Sequence, residues 1–231
     1  MKFIRKKLNA VFDPDLGREI EACGIIAVLV VESWQNAVPL AKALLAGGIN
    51  IIELTLRTSS ASDAIRAVVS EVPEMIIGAG TILTTKQLKT VADLGVSFGV
   101  SPGFNSRVVE AAKEQNFSFA PGVVTPTDIE LAVESGCRLL KFFPAEPSGG
   151  LDYLRTILSP FAHLGLKFIP LGGLDMLNVT EYISDPDIIA IGGSWIAPQE
   201  YIREGRWKDI TERAVKAISL VELTRRNNPE K

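Results

Sequence analysis

The sequence predicts an α/β protein, a single (β/α)8 TIM barrel over residues 1–231 with an N-terminal helix and a C-terminal helix. Three observations predict it. Short apolar, β-branched runs recur along the whole length, and segments with apolar residues at three-and-four spacing separate them. No linker, low-complexity tract or shift of composition divides the chain.

In order, the strand expectations are 25–31, 51–57, 75–80, 96–102, 117–122, 138–144, 166–172 and 188–193. Between them, 36–46, 60–72, 85–94, 106–115 and 127–135 set Ala, Leu, Val and Ile against charged faces, as amphipathic helices do. A last helix covers about 207–225. The run Ile188-Ile189-Ala190-Ile191 is apolar without alternation, which suits a parallel strand covered on both faces. An open doubly wound sheet is the architectural alternative. Residues 1–13 form an extension with no functional reading.

Composition excludes several function classes. A net charge of −3 and a pI near 5.4 leave no footprint for nucleic acid, although local donors could still hold a small anion. Cys23 and Cys137 are too few for a disulfide framework and lack metal-ligand spacing, so a reducing, cytoplasmic setting is expected. Lys2, Arg5, Lys6 and Lys7 form a basic start, but Asp13, Asp15, Arg18, Glu19 and Glu21 break up the stretch where a signal peptide would carry its apolar core. No run approaches the ~20 apolar residues of a membrane span.

In a barrel, the carboxyl ends of the strands carry the pocket, and here those ends are not generic. Side chains alternate along a strand, so Glu53, Thr55 and Arg57 share one face while Leu54 and Leu56 share the other. The aliphatic face suits surrounding helices, which turns the polar face inward. Same-face neighbours lie ~6.6 Å apart, enough to separate a proton-transfer group from an anion clamp. An interior Glu–Arg ion pair that fills the barrel would use the same residues.

Strand 138–144 sets Lys141 among Leu139, Leu140, Phe142 and Phe143. Apolar surroundings disfavour an ammonium relative to the free amine, and the free amine is the nucleophile that converts a ketone to an imine. A structural salt bridge to Glu53 is the competing reading, and both readings place the two residues together. Gly172-Gly173 and Gly192-Gly193-Ser194 end the last two strands. Glycine there lets backbone N–H groups approach an anion, and the last two βα loops of this fold often bind phosphate. Either glycine pair alone would serve as a tight turn. The only histidine, His163, precedes strand 166–172 and so belongs at the opposite mouth, on the surface or at a helix end. A divalent-metal aldolase or hydrolase would usually gather imidazole ligands in the pocket, so their absence weakens a metal reading, although carboxylates could still hold Mg²⁺. The expectation is no metal and no cofactor.

At these residues the chain resembles the 2-keto-3-deoxy-6-phosphogluconate aldolases, bifunctional with 4-hydroxy-2-oxoglutarate aldolase, from about residue 22 to 225. The resemblance rests on Ala37-Val38-Pro39-Leu40-Ala41-Lys42-Ala43-Leu44, Glu53-Leu54-Thr55-Leu56-Arg57-Thr58 and Ile77-Gly78-Ala79-Gly80-Thr81. It extends to Ser101-Pro102-Gly103, Lys141-Phe142-Phe143-Pro144-Ala145-Glu146 and Ile191-Gly192-Gly193-Ser194-Trp195. It implies a class I aldolase with Lys141 forming the Schiff base and Glu53 moving protons. Arg57 and Thr81 would hold the pyruvate carboxylate, and Pro102 and Phe143 would shape the pocket. Gly172, Gly173, Gly193 and Ser194 would cradle the phosphate of a phosphorylated keto-acid substrate. It also implies a homotrimer. One position departs: Leu171 stands where phosphogluconate enzymes carry Thr, and in the related phosphogalactonate aldolases that position is aliphatic. Competing functions are the same chemistry on the galactonate isomer, a sugar-phosphate isomerase or epimerase with no imine, and a non-catalytic phosphate-binding barrel.

Overall fold

The computed structural model describes residues 11–228. In order it contains α1 (Pro14–Cys23), β1 (Ile25–Leu29), α2 (Ala37–Ala46), β2 (Ile51–Thr55), α3 (Ala61–Glu71), β3 (Ile76–Gly80), α4 (Thr85–Asp93), β4 (Phe98–Val100), α5 (Ser106–Glu114), β5 (Ser118–Ala120) and β6 (Gly122–Val123). It continues through α6 (Pro126–Glu134), β7 (Leu139–Phe142), α7 (Gly150–Leu158), β8 (Lys167–Pro170), α8 (Val179–Ser184), β9 (Ile191–Gly193), α9 (Gln199–Arg203) and α10 (Trp207–Asn227). The expected N-terminal and C-terminal helices are therefore α1 and α10. Most of the 1–13 extension lies outside the described residues. Its last part is built in, since the Val11 carbonyl accepts from Phe119 N–H at 3.1 Å and the Asp13 amide donates to Ser118 Oγ at 3.1 Å.

Every strand ladder is parallel. Where the sequence predicts one ring of eight, the ladders form a curled six-stranded sheet, β5-β4-β3-β2-β1-β9, and a three-stranded sheet, β6-β7-β8. The reason on one side is Pro121, which lacks an N–H to donate and splits the expected strand 117–122 into β5 and β6. Its carbonyl still accepts from the Lys141 amide at 2.9 Å. On the other side the expected strand 188–193 is reduced to β9, and isolated parallel bridges, Phe168 with Ile188 and Leu171 with Gly192, link it to the neighbouring sheet.

Strand parity divides the core. Leu29, Leu54, Leu140, Phe142, Phe168 and Ile191 face the helices in the larger apolar cluster. Ile26, Val28, Ile51, Phe98, Leu139, Ile169 and Leu171 face inward, joined by Phe12 and Ile20. Each such side chain contributes ~1.5–3 kcal/mol on burial.

The helices begin where local chemistry supplies caps. Thr84 and Gln87 form a capping box at α4, and Thr125 and Asp128 form another at α6, where Pro126 opens the helix. Asp13 caps α1, and Gly24, at φ +73°, ends it in the left-handed conformation. Helix α10 lies against α2 at Gly47, where a Cβ would stand 2.4 Å from Ala214 Cβ. Its Arg225 donates to the Ala22 carbonyl at 2.8 Å and to the Glu21 carbonyl, tying the two terminal helices together.

Candidate active site

A cavity of about 340 Å³ opens at the carboxyl ends of the strands. Its lining includes Glu53, Arg57, Thr81, Pro102, Lys141, Phe143, Leu171, Gly172, Gly173, Gly193 and Ser194. The structure therefore brings together every site residue singled out from the sequence. His163 is not among the lining residues; it is exposed in a short 3-10 turn, Ser159–Leu164, as expected. Among the described residues no three His, Cys, Asp or Glu side chains gather as a metal site.

Strand β2 turns Glu53 and Thr55 into the cavity and Leu54 toward the helices, the parity read from the sequence. Strand β7 does the same with Lys141, between outward Leu140 and Phe142. Lys141 Nζ lies 3.1 Å and 3.3 Å from the two Glu53 carboxylate oxygens. Lys141 is 6% exposed and Glu53 2%. The Phe143 ring centroid is 5.5 Å from the amine, a cation–π distance. Glycine at position 80 is what admits the carboxylate, because a Cβ there would stand 1.9 Å from Glu53 Oε1. Such a pair can relay a proton or serve as an ion bridge. What favours chemistry is that it lines a cavity rather than being sealed in the core.

Arg57 lies just beyond the end of β2 and is exposed, and its guanidinium has no carboxylate partner or side-chain hydrogen bond among the described residues. An unpaired planar cation at a cavity wall suits a carboxylate, which it binds in a bidentate fork. Thr81, after β3, has φ +62°. A β-branched residue in the left-handed region is strained, and such strain concentrates at binding sites. Pro102 lies against Gly122 so closely that a Cβ there would stand 2.3 Å from the Pro102 carbonyl. Phe143 is joined to Pro144 by a cis peptide bond.

The far wall is the glycine end. Gly172 and Gly173 have φ +99° and +81°, a conformation L side chains rarely adopt. Packing also requires glycine in β9. A Cβ on Gly192 would stand 2.4 Å from Leu171 Cγ, and one on Gly193 would stand 2.1 Å from Trp195 Nε1 on the opposite face. Ser194 is exposed at the rim. Leu171 is 5% exposed and belongs to the inward apolar cluster, so this wall is aliphatic where a hydroxyl would have been polar.

Residues 17–213 match the family model for KDPG and KHG aldolases. The chain belongs to that family. It is 40% identical over 199 residues to the KHG/KDPG aldolase of Escherichia coli K12, covering 86% of this chain and 92% of that protein. It is 42% identical over 195 residues to the 2-dehydro-3-deoxy-phosphogluconate aldolase of Pseudoalteromonas atlantica, covering 84% and 90%. Among solved structures it resembles the KDPG aldolase of Legionella pneumophila at 36% identity and a TM-score of 0.83, over 87% of this chain and 97% of the other. That enzyme holds pyruvate as a covalent carbinolamine.

The aldolase cavity is also lined by Gly192, the first glycine of the expected second pair, and by Val28, Thr55 and Leu174. Strand parity signalled Thr55, whose hydroxyl donates to the Leu29 carbonyl at 3.0 Å. Nothing in the sequence signals Val28, an apolar residue in an apolar strand. A glycine at a strand end marks close approach, but nothing in the sequence says that Gly80 makes room for Glu53.

Proposed function

We propose that the chain is a class I aldolase. It cleaves 2-keto-3-deoxy-6-phosphogluconate to pyruvate and glyceraldehyde 3-phosphate through an imine on Lys141, and also cleaves 4-hydroxy-2-oxoglutarate to pyruvate and glyoxylate. The observation that carries this reading is the buried amine 3.1 Å from a buried carboxyl group at the wall of an open cavity. Family membership supports it.

Lys141 Nζ attacks the C2 ketone, and loss of water leaves a protonated imine that draws electrons from C3. Glu53 takes the proton of the C4 hydroxyl, directly or through a water, as the C3–C4 bond breaks and the aldehyde leaves. The enamine that remains is protonated at C3, and hydrolysis of the imine releases pyruvate and the free amine. The imine itself is the electron sink, so this chemistry draws on no metal or cofactor. Arg57 and Thr81 hold the pyruvate carboxylate, Pro102 and Phe143 wall the reacting carbons, and Gly172, Gly173, Gly193 and Ser194 take the phosphate.

The same reading has the strands closing as one ring of eight in a single domain, a course that the two bridges between the neighbouring sheets support. A cytoplasmic homotrimer completes it, on the family resemblance and the two free cysteines.

One observation favours a second substrate. Leu171 makes the wall aliphatic, which suits the phosphogalactonate epimer or a relaxed preference at C4. Turnover of the two epimers side by side decides between them, and faster cleavage of the galactonate form reassigns the substrate without changing the chemistry.

The class is tested by borohydride reduction with pyruvate and then peptide mapping. A reduced adduct on the peptide containing Lys141 is expected. Label elsewhere, or no label on an active enzyme, rejects the assignment, and an isomerase or epimerase would give none.

A further inference from the structure

We infer that Tyr182 and Glu146 form a positioning pair that holds the Gly172–Gly173 turn in the shape its anion-binding role requires. This rests on the aldolase reading above and adds a residue pair outside the cavity lining. Tyr182 sits on α8 and is 1% exposed, yet its hydroxyl reaches the more exposed Glu146 carboxylate and donates to Oε1. Glu146 is tied to the turn in two ways. Its amide donates to the Gly172 carbonyl at 3.0 Å, and its stem lies on Gly173, where a Cβ would stand 2.5 Å from Glu146 Cβ. The other side of the turn is tied to the start of α8, where Asn178 Nδ2 donates to the Gly173 carbonyl at 3.2 Å.

The hydrogen bonds therefore form a closed circuit. The turn binds Glu146 through its backbone, Glu146 binds Tyr182 through its side chain, and α8 returns to the turn through Asn178. Both glycines have positive φ, so the turn is intrinsically permissive and needs outside contacts to stay in one conformation. Burial first, and then the hydrogen bond to Glu146, push the Tyr182 phenol up, so it remains a donor through the neutral range. Neither side chain is among those lining the cavity, and neither touches the Lys141–Glu53 pair. The pair thus acts on the phosphate end alone.

That confinement makes it testable, because 4-hydroxy-2-oxoglutarate carries no phosphate. Tyr182→Phe keeps the buried ring and removes only the donor. It should raise KM for the phosphorylated substrate by roughly three- to tenfold, the range of one net hydrogen bond, with kcat little changed. Competitive inhibition by inorganic phosphate should weaken by a similar factor, while kcat/KM for 4-hydroxy-2-oxoglutarate stays at the wild-type value. Glu146→Gln, which keeps an acceptor, should lose less than Glu146→Ala. Equal losses on both substrates would mean a merely structural role, and no loss on either would mean the circuit is idle; each overturns the inference. If wild-type protein fails to form the pyruvate adduct, the aldolase reading falls by itself, and phosphate affinity measured by NMR titration still tests the pair. If the adduct forms and the substrate split is absent, only the pair falls.

Discussion

At the amino ends of the strands, the inward positions carry Ile26, Ile51, Phe98, Leu139, Ile169 and Ile189, sealed by Phe12 and Ile20. One inward step further along β2 and β7, the residues become Glu53 and Lys141, and then Thr55 and Phe143, while Val28 and Leu171 on neighbouring strands stay apolar. That step is ~6.6 Å, and over it the interior changes from an apolar plug to a charged pair beside open space. The two ends depend on one another. The plug keeps water from reaching the pair from below, and in the lower dielectric an ion pair or developing charge interacts more strongly than in water. Along the inward face of β2 and β7, apolar packing occupies one end and chemistry the other.

Substitutions can break this comparison at either end. The largest effect is expected from Lys141→Arg, which keeps a cation beside Glu53 but cannot form an imine. Turnover should fall by at least on the order of 10³-fold, while the urea midpoint shifts little. An active Lys141→Arg enzyme would remove the chemical role of the carboxyl end. Glu53→Gln should lower kcat by about 10²–10⁴-fold and still yield a borohydride-trapped pyruvate adduct. Loss of the adduct would show that the carboxylate is needed to form the imine.

At the other end, Phe98→Ala should cost about 3–5 kcal/mol in chemical denaturation, because the ring is fully buried against Gly78. The fraction that remains folded should still trap pyruvate at Lys141. If stability holds but trapping is lost, the two ends are not separable in this way.

A last test lies outside the plug, in the apolar layer between strands and helices. Burial pushes the Cys137 thiol, just before β7, up to about 12 from 9.0. A thiol whose folded pKa is raised adds stability that is present below its unfolded pKa and lost as pH climbs through the folded one. Wild-type stability relative to Cys137→Ala should therefore decline between pH 9 and about 12, read as the difference between the two unfolding curves. A flat difference would mean that water reaches the thiol.

Much of this was legible in the residues. Alternation put Glu53 and Thr55 on one face and Leu54 on the other, because a strand repeats every two residues whatever surrounds it, and the aliphatic face, suited to the helices, left the polar one inside. The isolated Lys141 in a run of Leu and Phe announced its own environment, and the glycine pairs at two strand ends announced close approach. The strand limits were less legible. Expected segments such as 96–102 and 188–193 extend beyond β4 and β9, because chemistry-bearing turns are also apolar and glycine-rich. The break at Pro121 was in plain view, but its consequence, a strand shared between two sheets, depends on what lies on either side.

The sequence by itself determined the order of strands and helices, the inward residues and the candidate amine and carboxyl group, since these stem from periodicities that the backbone imposes on any chain. Only the tertiary structure decided that the amine of Lys141 stops 3.1 Å from Glu53, that Gly80 leaves room for that carboxylate, and that Glu146 and Tyr182 stand behind the glycine turn. Those facts are distances between residues far apart along the chain, set by how the strands curl and the helices pack, and local pattern does not encode them.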